Sequence, residues 1–292
     1  MSGSKTRSCG SEGKRKMNIS YGIAETIGLR KEMEDAHSVR DDERRRVFSA
    51  EVCDGHAGSL AARIAAEILT PCFLHGEGVA CERTGGRGFT PEDLRDAYLA
   101  IDRYIVAQQT TSGTAVGTLY LWENRFLAAN AGDVRIVIGD GPEAISLTVD
   151  HKPDLPDERA RIEALGGRVV SYDVPRVQGL LSMSRSLGDA LLKPFVTAEP
   201  RIAEGVLGRE NDIAIIACDG LWDVLTSEEA VAIARDAAGP SEAARLLQAR
   251  AMEQGSMDNI TVIVLDLKAY TARCGRDRLY VSRVLDRALS PT

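Results

Sequence analysis

The 292-residue chain has no run of about 18 apolar residues, the length that a bilayer-spanning helix requires. Its start, Met1-Ser2-Gly3-Ser4-Lys5, offers no apolar stretch for a secretory signal, and glycine stands third, not second, which excludes a myristoylation start. Six scattered cysteines (Cys9, Cys53, Cys72, Cys81, Cys218, Cys274) include no C-x-x-C pair. This speaks against a disulfide framework or a zinc site and for a reducing compartment. A basic excess is also missing, since 36 Lys and Arg face 43 Asp and Glu for a net charge of −7. With aromatics at only 5% and no basic stripe between them, nucleic acid and anionic membrane are poor partners. No G-x-S-x-G nucleophile elbow is present. A soluble intracellular protein is expected, cytoplasmic or nuclear.

What is there is a globular composition, 44% hydrophobic and 27% charged. The first 17 residues are polar and basic and read as a disordered tail; an ordered domain is expected over 18–266, with 267–292 an extension that could form a helix or an extra strand. Apolar stripes at helical spacing predict helices at 60–69, from Thr90-Pro91 onward, at 156–165, and near 227–237 and 241–252. Residues 74–89 are Gly-rich and read as a surface loop that includes His75. Between 114 and 147, short strands alternate with turn signals too brief for parallel crossovers, so the pairing must be antiparallel. Residues 171–192, with Arg176 and Arg185, are irregular and read as a flap. Strands and helices are segregated, which gives an α+β fold with sheets flanked by helices.

The acids mark the site. Val52-Cys53-Asp54-Gly55 and Ala217-Cys218-Asp219-Gly220 are near copies that end apolar strands in Asp-Gly. Asp258-Asn259 precedes the apolar run from Ile260, Asp133 follows Gly132 between two strands, and Glu34-Asp35 lies between the first two. One Asp-Gly is a common turn, but several desolvated rim acids that converge need a cation. Strand alternation points Cys53 and Cys218 away from the face of Asp54 and Asp219, which leaves oxygen donors, including the Gly55 carbonyl, suited to Mg²⁺ or Mn²⁺. On these residues alone, a metal centre and a set of scattered turn acids both remain open.

The segments Gly28-Leu29-Arg30-Lys31-Glu32-Met33-Glu34-Asp35-Ala36-His37 and Asp54-Gly55-His56-Ala57-Gly58 resemble motifs of the metal-dependent type 2C Ser/Thr phosphatases. Further matches follow in the same order: Ser112-Gly113-Thr114, Gly132-Asp133-x-Arg135, Asp150-His151-Lys152-Pro153, Glu158-x-x-Arg161-Ile162 with Gly166-Gly167, and Ser184 to Asp189. The series closes with Asp219-Gly220-Leu221-Trp222-Asp223-Val224 and Gly255 to Thr261, and the resemblance spans residues 21–266.

The resemblance implies two stacked antiparallel sheets flanked by helix pairs, a four-layer α/β/β/α sandwich. It implies that Asp54 bridges two Mn²⁺ or Mg²⁺ ions, with Asp219 and Asp258 completing one site and Glu34 and the Gly55 carbonyl the other. Asp35 and Asn259 would stand behind these ligands, and Asp133 with Asp219 and Asp223 would form a weaker third site. Cys218 stands where the family usually has Ser, and Gln178 where it usually has Asn. The implied activity is hydrolysis of phosphoserine and phosphothreonine by a water that bridges the two ions, with no phosphoenzyme. Arg30 is then the phosphate clamp and His56 the acid for the departing alkoxide. His37 and His151 are read as structural, and Trp222 as core beneath the site. Phosphoproteins are the expected partners and a monomer the expected state. The alternatives are a non-catalytic binding module of the same fold and a phosphatase of small phosphoesters.

Overall fold

The longest strands are apolar on both sides, the mark of strands covered on both faces. In Val47–His56, Phe48, Ala50 and Val52 enter one core while Val47 and Cys53 enter another. In Ile260–Asp266, Ile263 and Leu265 face the first of these cores, and Ile260, Val262 and Val264 face a third. Such residues need a layer above and a layer below.

The computed structural model describes residues 17, 19–76 and 89–289. The basic tail and most of the Gly-rich stretch read at 74–89 lie outside the described residues. In chain order the elements are β1 (Ser20–Thr26), β2 (Ala36–Asp42), β3 (Val47–His56), α1 (Leu60–His75), α2 (Pro91–Ala107), β4 (Gly113–Trp122), β5 (Arg125–Ala131), β6 (Arg135–Asp140) and β7 (Glu143–Ser146). Then come α3 (Pro156–Ala164), β8 (Val169–Ser171), β9 (Pro175–Val177), β10 (Leu187–Gly188), β11 (Arg201–Val206), β12 (Ile213–Ala217) and α4 (Asp219–Trp222). The chain continues with α5 (Ser227–Asp236), α6 (Pro240–Glu253), β13 (Ile260–Asp266), α7 (Lys268–Thr271) and β14 (Tyr280–Leu285).

One sheet runs β1-β13-β12-β6-β7 and the other β14-β11-β5-β4-β3-β2, with β10 added on β4. All of these pairings are antiparallel. The central core lies between the sheets; α1 and α2 cover one outer face, and α4, α5 and α6 the other. The result is an α+β four-layer sandwich. No described helix is long and apolar enough to cross a membrane.

Two local expectations change, and one left open is settled. Helix α1 does not stop at Leu69 but runs through Pro71 to His75. Proline cannot donate to the Glu67 carbonyl, and Arg40 Nη2 supplies that bond instead at 2.9 Å, while Cys72, Phe73 and Leu74 are buried. His75 is therefore helical, 3.6 Å from Asp42. The stretch read as irregular over 171–192 enters a small β8–β9 hairpin that spans residues 169–177, and β10 docks beside Gly113. In the extension, Tyr280–Leu285 is a strand that pairs with β11.

Candidate metal centre and active site

The acids gather at one end of the sandwich because the strands that carry them end there. Asp54 follows Phe48, Ala50 and Val52 on the inner face of β3, and the β3–β4 register sets Asp54, Gly55 and His56 opposite Ala115, Thr114 and Gly113. Asp219 begins α4 where β12 stops, Asp258 and Asn259 lead into β13, and Asp133 occupies the β5–β6 turn. Carboxylate oxygens of Asp54, Asp133 and Asp219 lie within 4.8 Å of one another. A second group within the same limit joins Asp35, Asp54 and the Cys218 sulfur.

Acids this close raise one another's pKa. Burial, then the charges of Asp219, Asp35, Asp133 and Asp258, push Asp54 well above the carboxylate range. Burial, then Asp133 and Asp223, push Asp219 up, with Lys152 opposing. Asp35 rises to about 6 through burial, although Thr261 Oγ1 donates to it at 2.7 Å. Asp223 is exposed and still raised, by desolvation and then by Asp133 and Asp150, again against Lys152. Asp35 Oδ1 and Asp133 Oδ1 are buried with no hydrogen-bond partner. Unpartnered, mutually repelling hard oxygen donors fit a divalent cation. Asp54 and Asp219 also keep a partly accessible surface through which an ion can enter.

The other expected site residues surround this cluster. Glu34 Oε1 accepts from the Gly58 N–H at 2.5 Å, and neither Glu34 nor Asp258 belongs to the two tight groups. Asp258 acts on Asp54 and Asp219 through its charge. It also accepts from Arg30 Nη2 at 2.6 Å, so the exposed Arg30 is tethered at the rim. Asn259 ties the acidic loop down: Oδ1 accepts from Glu34 N at 2.8 Å, and Nδ2 donates to the Ile27 and Glu32 carbonyls at 2.9 and 3.1 Å. A side chain on Gly55 would lie 2.2 Å from the Glu34 carbonyl oxygen, so that loop can close over β3 only at a glycine.

His56 Nε2 meets both carboxylate oxygens of Asp189, at 2.9 and 2.8 Å, and Nδ1 is buried without a partner. Asp189 also accepts from the Ser186 hydroxyl. The pair sits against Gly113, where a Cβ would come within 2.1 Å of Asp189 and 2.4 Å of His56. Asp189 and Lys152 both lie inside motifs noted in the sequence, yet nothing local assigns either a role, because their partners are His56 and Asp133, 133 and 19 residues away.

Cys218 is a correction. Strand alternation turns Cys53 away from Asp54, but it fails at Cys218, which lies between the end of β12 and the helix that Asp219 starts. Cys218 follows Ala214 and Ile216 inward, toward Asp35 and Asp54. Its sulfur accepts from Thr261 N at 3.2 Å and donates to the Asn259 carbonyl at 3.5 Å. Of the flap arginines, Arg185 is fully buried between Glu158 and Asp286, and Arg176 turns back to Leu180 and Asp173. His151 is buried beside Gly132 and is pushed down to about 3 by burial and the Arg185 charge, so it stays neutral. His37 faces Glu25 at 3.2 Å, and Trp222 is buried, donating from Nε1 to the Ala217 carbonyl at 2.9 Å.

A family model for protein phosphatase 2C matches residues 19–260. Probable protein phosphatase 2C 59 of Oryza sativa subsp. japonica is 38% identical over 255 residues, covering 85% of this chain and 75% of that protein. Its namesake in Arabidopsis thaliana is 38% identical over 253 residues, covering 85% and 79%. The crystal structure of serine-threonine phosphatase 2C from Toxoplasma gondii superposes with a TM-score of 0.73 at 25% identity, over 85% of this chain and 94% of that one. A C. elegans sex determining protein shares the fold, with a TM-score of 0.77 at 23% identity over 88% and 67% of the two chains. The chain belongs to the protein phosphatase 2C family, the metal-dependent serine/threonine protein phosphatases.

Proposed function

We propose that this phosphatase hydrolyses phosphoserine and phosphothreonine in proteins by direct attack of water, with no phosphoenzyme intermediate and two Mn²⁺ or Mg²⁺ ions per site. The observation that carries the reading is the convergence of the Asp54, Asp133 and Asp219 carboxylates within 4.8 Å, with Asp54 and Asp219 pushed up in pKa by burial and by neighbouring acids and Asp133 Oδ1 buried without a partner. Asp54 would be shared by both ions, Asp219 and Asp258 would complete one site, and Glu34 with the Gly55 carbonyl the other. A bound divalent pair supplies positive charge that acidifies the attacking water and offsets the phosphoryl oxygens.

The chain's own residues do the rest. Arg30 reaches the rim on its tether to Asp258 and presents a planar fork that matches two phosphoryl oxygens. His56 gives its proton to the departing serine or threonine oxygen, and Asp189 fixes the plane of its ring. Asn259 holds the loop that carries Glu34 and Asp35 against the strand end.

The test is hydrolysis of a phosphothreonine peptide with Mn²⁺, with EDTA, and by Asp54→Ala and Asp219→Ala. Loss of at least about a thousandfold in the last three is expected, since several kcal/mol of charge stabilisation go with the ligands. Equal turnover in all four conditions contradicts the reading. For His56→Ala, a loss of roughly 10²–10⁴-fold on an alkyl phosphate, and much less on an activated aryl phosphate, is expected. Equal losses on both substrates remove His56 from the acid role.

A further inference from the structure

Lys152 Nζ lies 2.6 Å from Asp133 Oδ2, at the corner where Asp133, Asp219 and Asp223 face one another. It is no loose surface lysine. The Lys152 backbone N–H donates to the Asp150 carbonyl at 2.9 Å, and Arg135 grips the Asp150 carboxylate with two bonds, at 3.1 and 2.5 Å. On its other flank, His151 N donates to the Gly132 carbonyl at 3.1 Å. Gly132 and Arg135 bracket Asp133, so the turn that carries the acid also aims the ammonium at it. The 2.6 Å contact pairs the ammonium with a carboxylate that is itself buried. The lysine charge in turn acts on Asp219 and Asp223 in the direction opposite to their mutual repulsion.

One oxygen of Asp133 is thus occupied by a cation that the chain supplies, and the other is buried and without a partner. A divalent ion that uses Asp133 must share the carboxylate with the ammonium or expel it. On the Asp54 side, the cation that meets an expected ligand is Arg30, which holds Asp258 at 2.6 Å from an exposed position at the rim. We propose that Lys152 is the built-in cation of the Asp133–Asp219–Asp223 corner and sets the number of divalent ions the protein holds tightly, by competing for Asp133. The inference rests on the metal centre proposed above and adds what limits its occupancy. It also gives the lysine a second effect, that of letting the acids fold close together before any ion arrives.

The experiment is calorimetric titration of the full metal-free chain with MnCl₂, for wild type, Lys152→Met, Lys152→Gln and the charge-retaining Lys152→Arg. Removal of a unit charge at hydrogen-bond distance predicts a third Mn²⁺ site tightened by at least about tenfold in the Met and Gln variants. Lys152→Arg should follow wild type. Thermal unfolding supplies a second readout: the metal-free Met and Gln variants should melt lower than wild type and gain more from Mn²⁺. A variant that folds only with Mn²⁺ present supports the proposal in the same sense. Identical stoichiometry, affinities and Mn²⁺-induced stabilisation in all four proteins overturn the role of Lys152 while leaving the central pair standing. A wild type that takes up no Mn²⁺ overturns both readings together.

Discussion

Two buried charged regions of this molecule share a degree of enclosure and differ in sign balance. Around Arg185, opposite charges are matched: the guanidinium donates to Glu158, Asp286 and the Glu199 carbonyl, and Arg161 adds a second cation to Glu158. Burial alone would push Glu158 up, yet the two arginines hold it at about 2. At the strand ends, Asp54 and Asp219 are largely desolvated although not sealed off; their neighbours are mostly acids, and both shift the other way. Burial is common to both; the partners decide the direction. The first region is complete in itself, and the second is complete only with added cations, which is why it can be a site.

The comparison can be tested first where the effect is largest. Arg185→Met removes the buried cation shared by Glu158 and the partly buried Asp286 and should lower stability by about 3–5 kcal/mol in urea titration. A change below about 1 kcal/mol would mean that the network is not matched as described. The pH signs should also oppose. Glu158 is depressed, so its contribution is present above about pH 4.5 and lost as pH falls through about 2.

Glu51 is a third case, a wholly buried residue within β3 whose carboxylate is pushed up to about 8 by burial against the weaker help of Thr70 and Arg40. With its folded pKa raised, stability is full below about pH 4.5 and is lost as pH rises through about 8. Glu51→Gln should remove roughly 3 kcal/mol of that slope, read from unfolding midpoints between pH 5 and 9. An unchanged slope would exclude Glu51 as its source. The smallest effect has the opposite sign: Asp219→Asn should stabilise the metal-free chain by about 1 kcal/mol or more, because it relieves repulsion. A destabilised metal-free variant would count against a cluster under self-repulsion.

These regions were not equally legible in the amino-acid sequence. Asp54, Asp133, Asp219 and Asp258 stand out because each abuts a strand or turn whose pattern is local. The α+β class and the antiparallel pairing are equally readable, from segregated strands and helices and turns too short for crossovers, while the stacked pair of sheets comes from the resemblance. The matched network is not, since Arg185 and Asp286 lie 101 residues apart and their pairing depends on β14 joining β11. Cys218 was misread because alternation holds only while the strand continues, and the chain turns helical at the next residue. The end of α1 was misread because the carbonyl that Pro71 leaves unpaired is satisfied by Arg40, a residue on another element. For the matched network and for the end of α1, the deciding partner is distant in sequence.

The central claim is that the acids at the strand ends are ligands for divalent ions. Anomalous scattering from crystals soaked in MnCl₂ tests it most directly. The account predicts two strong manganese peaks flanking Asp54, one against Asp219 and Asp258 and the other beside Glu34 and the Gly55 carbonyl. Well-ordered Asp54, Asp219 and Asp258 with no manganese density between them would contradict it.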